Sequence, residues 1–138
     1  MVEIRTAALG DVEEVVSLWR KFGGPTRSLG QHAEARALLA RDPEALIVAC
    51  DDKAAVIATL VVGWDGWRCH LYRLVVHPDH RRAGIAGLLV AEGRRRAKAL
   101  GVARLDAMVH RDNDGAIAFW ESQDFEIQDD DARWSLML

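Results

Sequence analysis

The run His77-Pro78-Asp79-His80-Arg81-Arg82-Ala83-Gly84-Ile85-Ala86 joins an apolar, strand-like stretch to the small residues that open a helix. A helix start leaves about four backbone N–H groups without partners and carries a partial positive charge. Ala83, Gly84 and Ala86 let an anion approach those donors, and Arg81 and Arg82 add charge. That combination suits a pyrophosphate. A Walker loop would end in Gly-Lys-Ser/Thr, and a dinucleotide fold would show Gly-x-Gly-x-x-Gly followed by an acid. The chain has neither. A solvent-facing basic turn, with small residues for packing, is the plainer reading of the same residues.

The elements around the turn follow from periodicity. Val2 to Thr6 alternates in polarity and predicts a strand. Leu9 to Phe22 carries Val12, Val15, Val16, Leu18 and Trp19 on one helical stripe, with Asp11, Glu13 and Glu14 near its start. Gly23-Gly24-Pro25 ends it. A second helix is expected from about Gly30 to Ala40, carrying Ala33, Ala37, Leu38 and Leu39. Strands follow over Ala45 to Cys50, Ala54 to Trp64 and His70 to Val76, with Asp65-Gly66 as a hairpin turn. Gly84 to Leu100 reads as a long amphipathic helix ending at Gly101. A strand at Arg104 to Val109, a helix at Asp114 to Gln123 and a final hairpin over Phe125 to Leu138 complete the order βααβββαβαββ. The expected fold is a single α/β domain over residues 1–138, built on a mixed sheet.

Composition narrows the function. At 138 residues, half of them apolar, the chain can bury a core without metal or disulfide. Cys50 and Cys69 sit in apolar runs with no Cys-x-x-Cys pair, so reduced core thiols are expected, a disulfide between them being the alternative, and no metal site is. The N-terminus has no basic segment leading into an apolar stretch, and no run approaches the ~20 residues a membrane span needs. A soluble, cytoplasmic protein with no membrane partner is expected. The net charge of −3 argues against a nucleic-acid binder. Charge is segregated, however. His77 to Lys98 holds six Lys or Arg against two acids, and Asp112 to Asp131 holds eight acids with no Lys or Arg.

The stretch LYRLVVHPDHRRAGIAGLL resembles motif A of the GNAT superfamily of N-acetyltransferases, where Gln/Arg-x-x-Gly-x-Gly/Ala grips the pyrophosphate of coenzyme A. Downstream, NDGAIAFWESQDF resembles motif B, with Asn113, Ala116, Phe119 and Phe125 at the family's spacing. The opening VEIRTAALGDVEEVVSLW is similar to the family's first strand and helix, so the likeness spans nearly the whole chain. It implies a mostly antiparallel mixed sheet with helices on both faces, and acetyl-CoA as co-substrate. It also implies main-chain contacts to the acetyl-pantetheine arm from Leu74, Val75 and Val76. The pyrophosphate would be held by Arg81, Arg82, Ala83, Gly84, Ile85 and Ala86. Asn113, Ala116, Phe119 and Trp120 would flank pantetheine and thiol. Arg94-Arg95-Arg96 either helps the adenosine phosphate or forms a solvated helix face.

The implied reaction is acetylation of an amine, on a small molecule or a protein. The amine must lose its proton, since an ammonium of pKa ~10.4 has no lone pair to attack with. A donor must meet the developing oxyanion, and a thiolate must leave. A main-chain N–H near Val75 or Val76, freed by a β-bulge, fits the donor. The family's glutamate base is missing; His70, eleven residues before Arg81, stands at the comparable place and has the right ordinary pKa of ~6.5. Strand parity puts His70, Tyr72 and Leu74 on one face. Trp120 replaces the family's tyrosine acid and offers only an indole N–H, which leaves Tyr72, the one tyrosine, as a substitute. Asp124 replaces a glycine and should tolerate a left-handed turn. For the acceptor, the acidic stretch suits a cation, while Arg27 in the loop after the first helix suits a carboxylate. Trp64 and Trp67 flank the hairpin turn as core, acceptor wall or homodimer surface. A coenzyme A-binding sensor that has lost catalysis is the competing function.

Overall fold

The computed structural model describes residues 1–24 and 31–138, and these fall into two compact units, Met1–Met108 and Val109–Leu138. The first unit holds β1 (Glu3–Thr6), α1 (Val12–Phe22), α2 (Gln31–Arg41), β2 (Leu46–Cys50), β3 (Val56–Trp64), β4 (Cys69–Val76), α3 (Ile85–Ala99) and β5 (Leu105–Ala107). Short 3₁₀ turns precede α1 and α3. The five strands form one sheet in sequence order; β1 to β4 pair antiparallel, and β4 pairs with β5 in parallel.

Alternation along β3 sorts the core into two faces. Thr59 and Val61, with Val48 and Leu46 opposite them on β2, face α1, whose Val12, Val15, Val16, Leu18 and Trp19 are all buried. Leu60 and Val62 face the other way, toward α3. There a Cβ on Gly93 would sit 3.2 Å from Leu60 and 3.3 Å from Leu71, so the helix lies close against the sheet. The stripe foreseen on α1 is therefore the buried one. On α2 the prediction was partly misplaced: Ala33 and Ala37 are exposed, and the buried residues are Gln31, Ala35 and Leu39, four apart along one face.

Side chains lock several turns. Arg5 donates two hydrogen bonds to the Asp11 carboxylate, at 2.7 and 3.0 Å, and Asp11 also accepts from the Ala8 N–H. Asp65 Oδ1 accepts from the N–H groups of Trp67 and Arg68, closing the predicted β3–β4 hairpin around left-handed Gly66. Arg96 reaches from α3 to Thr6 of β1 and to the Glu44 carbonyl, while its Nε donates to Glu92. Of the basic run on α3, Arg96 is thus a tie between helix and sheet and not part of a solvated face. Cys50 and Cys69 are both free and buried, and burial raises both thiol pKa values.

The second unit contains α4 (Asp114–Ser122). The hairpin expected over 125–138 is not formed: no strand occurs there, and Ile127, Trp134, Leu136 and Met137 are exposed. Asp129-Asp130-Asp131, the turn that hairpin was expected to have, is exposed, and its apolar flanks Ile127, Trp134 and Leu136 bury no face, without which a lone strand pair is marginal. No described helix is long and apolar enough to cross a membrane.

Candidate active site

Two backbone features of the first unit carry the site, and both lie on β4 or just beyond it. The first is a bulge. Val61 pairs with Tyr72 and Thr59 pairs with Val75, so one residue of β3, Leu60, faces two of β4, Arg73 and Leu74. Arg73 takes φ +54°, an uncommon conformation for a non-glycine residue, and the bulge accommodates it. The extra residue reverses parity. His70 and Tyr72 lie on the α1 face opposite Gly63 and Val61, as read from the sequence, but Leu74 is turned to the α3 face and Val75 joins the α1 core. The expectation of a common face for all three fails at Leu74 for that reason.

Beyond the bulge β4 has an open edge. β5 pairs only with Cys69, His70 and Leu71, and it ends at Ala107, short of the predicted Val109. Among the described residues, no strand lies beside Tyr72 to Val76 on that side.

The second feature is the turn into α3. His77 Nδ1 accepts from the Asp79 N–H at 3.1 Å, and Arg81 Nε donates to the Val76 carbonyl at 3.2 Å, folding the turn onto the strand end. Arg82 takes φ +61° and Gly84 φ +78°. Gly84 is the N-cap of α3, with no side-chain cap bond and no acid in the first turn. The N–H groups of Ile85 and Ala86 therefore sit at a positive helix end that no side chain of its own satisfies, beside left-handed residues of the kind that build anion-binding nests. Nothing lies within 4 Å of where a Gly84 Cβ would be, so glycine is required there by backbone conformation and not by space.

The catalytic candidates differ in setting. His70 is exposed. The Tyr72 ring lies over Gly63, where an added Cβ would be 2.8 Å from a ring carbon, and burial pushes the phenol above its ordinary pKa. A raised pKa makes Tyr72 a poorer acid toward a thiolate whose own parent pKa is ~8.5. In the second unit, Asn113 Oδ1 accepts from the Ala116 N–H at 3.1 Å, so this amide caps α4. Trp120 packs edge-on between Phe119 and Phe125, at 5.3 and 4.8 Å. Asp124 takes φ +68°, the left-handed turn foreseen for it. Arg27 lies outside the described residues.

The groups behind the bulge were not among the candidate site residues singled out from the sequence. Trp19 Nε1 donates to Thr59 Oγ1 at 2.8 Å, and Thr59 Oγ1 donates to the Arg73 carbonyl at 2.8 Å. The Arg73 guanidinium lies 4.9 Å from the Trp19 ring centroid. Thr59 is fully buried. One polar residue in the otherwise apolar run Val56–Val62 was the available signal.

Comparison with known proteins agrees with this geometry. The sequence model of the Acetyltransferase (GNAT) family matches residues 12–125. An acetyltransferase of Yersinia enterocolitica is 34% identical over 134 residues, covering 93% of this chain and 90% of the relative. One from Sodalis glossinidius is 33% identical over 128 residues, covering 93% and 89%. Among solved structures, the aminoglycoside antibiotic 6′-N-acetyltransferase AAC(6′)-Ih from Acinetobacter baumannii superposes with a TM-score of 0.80 at 19% identity, covering 100% of this chain and 99% of that one. Ard1 from Thermoplasma volcanium gives 0.81 at 20% identity, covering 92% and 84%. These likenesses establish the shared fold.

Proposed function

The chain belongs to the GNAT acetyltransferase family, and from that premise we propose that it transfers the acetyl group of acetyl-CoA to a primary amine by direct attack in a ternary complex. This reading takes residues 1–138 as one N-acetyltransferase domain. The observation that carries it is the uncapped start of α3, with Arg82 and Gly84 left-handed, directly after a bulged strand with an open edge. The diphosphate sits on the N–H groups of Ile85 and Ala86, with Arg81 and Arg82 adding charge. Leu74, Val75 and Val76 offer main-chain groups to the pantetheine arm.

The amine nitrogen attacks the thioester carbon, a backbone N–H of the bulge holds the oxyanion, and the C–S bond breaks to release coenzyme A thiolate. The amine gives its proton to His70, on the α1 face. The thiolate leaves without a strong acid beside it, because a group with a parent pKa of ~8.5 departs readily. The family resemblance assigns Asn113, Ala116, Phe119 and Trp120, on the second unit, to the pantetheine and thiol. The acceptor is an amine-bearing small molecule or a protein amine.

Incubation with acetyl-CoA and a panel of amines, following free thiol release, tests the reading. Turnover that responds to the amine is expected. His70→Ala should flatten the acidic limb of the pH–rate profile, and an unchanged profile removes His70 as base. The raised pKa of Tyr72 and the indole at Trp120 favour one other reading, a coenzyme A-binding sensor without catalysis. Its mark is tryptophan quenching by acetyl-CoA with no acetylation of any amine.

A further inference from the structure

We infer that Thr59 and Trp19 are positioning residues that aim the Leu74 N–H at the acetyl carbonyl; this rests on the acetyl-CoA reading above. The Arg73–Leu74 peptide lies within the bulge of β4. Its carbonyl is drawn out of the ladder to the Thr59 hydroxyl, on the α1 face and on the β3 side of the strand. The Arg73–Leu74 peptide is trans, and a trans peptide holds C=O and N–H antiparallel. The Leu74 N–H is therefore directed away from β3, toward the edge of β4 that β5 leaves open.

A free peptide would not keep this orientation, because φ +54° at Arg73 is a costly conformation for a side chain with a Cβ. The buried relay holds it. The Thr59 hydroxyl has a single proton, and the Trp19 indole fixes where it goes: Nε1 can only donate, so the hydroxyl accepts from Trp19 and must give its own proton to the Arg73 carbonyl. The same indole ring lies under the Arg73 guanidinium, so one side chain of α1 supports both the carbonyl and the side chain of the strained residue. With Thr59 fully buried, no water competes for the hydroxyl.

Thr59→Val keeps the shape of the side chain and removes the relay, and Thr59→Ser restores the hydroxyl. Trp19→Phe keeps a smaller ring under Arg73 and removes the donor, leaving a cavity in the core beside it. For Thr59→Val we expect kcat to fall on the order of 30-fold, short of the roughly 100- to 1000-fold lost when an oxyanion donor is removed outright, with the KM for acetyl-CoA unchanged. Thr59→Ser should recover most of the loss, and Trp19→Phe should fall between. A second readout needs no turnover: the carbonyl stretch of 13C-labelled acetyl-CoA bound to wild type should lie below its value in water, and Thr59→Val should return it toward that value. A stretch lowered equally in wild type and Thr59→Val overturns the positioning role while leaving the acetyl-CoA reading intact. So does a Thr59→Ser enzyme as slow as Thr59→Val. Acetyl-CoA that fails to bind wild type overturns both.

Discussion

The bulge in β4 and the turn into α3 both present backbone N–H groups, yet they are held in opposite ways. At the turn, Arg82 and Gly84 are exposed, and the left-handed conformations lie among local bonds such as those from Arg81 and to His77. At the bulge, the strained Arg73 is fastened by a buried threonine and a buried indole reaching in from another strand and another helix. The difference matches what the proposed reaction asks of each. A diphosphate spreads its charge over several oxygens, and an array of donors at a helix end tolerates some looseness. A single carbonyl oxygen needs one donor, correctly aimed before charge develops, and preorganisation of that kind has to be built into the core.

The contrast breaks first at Gly84. Gly84→Glu places a Cβ at φ +78°, at a cost of roughly 1–2 kcal/mol for a left-handed non-glycine residue. It also sets a carboxylate where an anion should bind. Relaxation of the turn and repulsion together should weaken acetyl-CoA binding by on the order of 100-fold, measured by tryptophan quenching, with Tm lower by about 3–6 °C for each kcal/mol of strain that remains. Undiminished affinity would mean that the diphosphate is held elsewhere.

Arg82 sharpens the same point at smaller scale, because its charge and its conformation pull in different directions. Arg82→Gly removes the strain at φ +61° and also removes the cation. Stability should rise slightly, by less than about 1 kcal/mol, while acetyl-CoA affinity falls by roughly three- to tenfold, with a shallower dependence on salt. Calorimetric titration at two ionic strengths reads both. Equal affinities in the two proteins would assign the turn's work to its backbone alone.

Much of this is legible in the sequence. The turn could be read because a proline, two arginines and small residues must fall between a strand and a helix, all within one short segment. The hairpin at Asp65-Gly66 and the buried stripe of α1 were legible for the same reason: local chemistry and local period decide them. The relay was not, because it joins Trp19, Thr59 and Arg73 across three elements, and nothing in the spacing of those residues says that they meet. Parity failed at Leu74 because one inserted residue reverses every face after it. The final hairpin failed because a turn signal says nothing about whether the flanking residues find a face to bury, and Ile127, Trp134 and Leu136 stay exposed.

The smallest effect separates the basic residues that serve the scaffold from those at the turn. Glu92 accepts from Arg95 at 2.7 and 2.9 Å and from Arg96 at 3.0 Å, and those bonds hold its carboxyl down to about 2, against an ordinary 4.5. A depressed carboxylate pKa contributes stability that is complete above the ordinary value and fades as pH falls toward the folded one. Glu92→Gln should therefore lower Tm by about 3–6 °C at pH 7, the size expected for a loss near 1 kcal/mol in a domain of this length. The gap between variant and wild type should close as pH falls from about 4.5 toward 2. Because Arg96 is tied to Thr6 and the Glu44 carbonyl, the loss belongs to the seating of α3 on the sheet, and acetyl-CoA affinity at pH 7 should stay within about twofold of wild type, a difference near 0.4 kcal/mol. A Tm gap that persists at pH 2, or a fall in affinity as large as that of Arg82→Gly, would place this cluster with the turn and not with the scaffold.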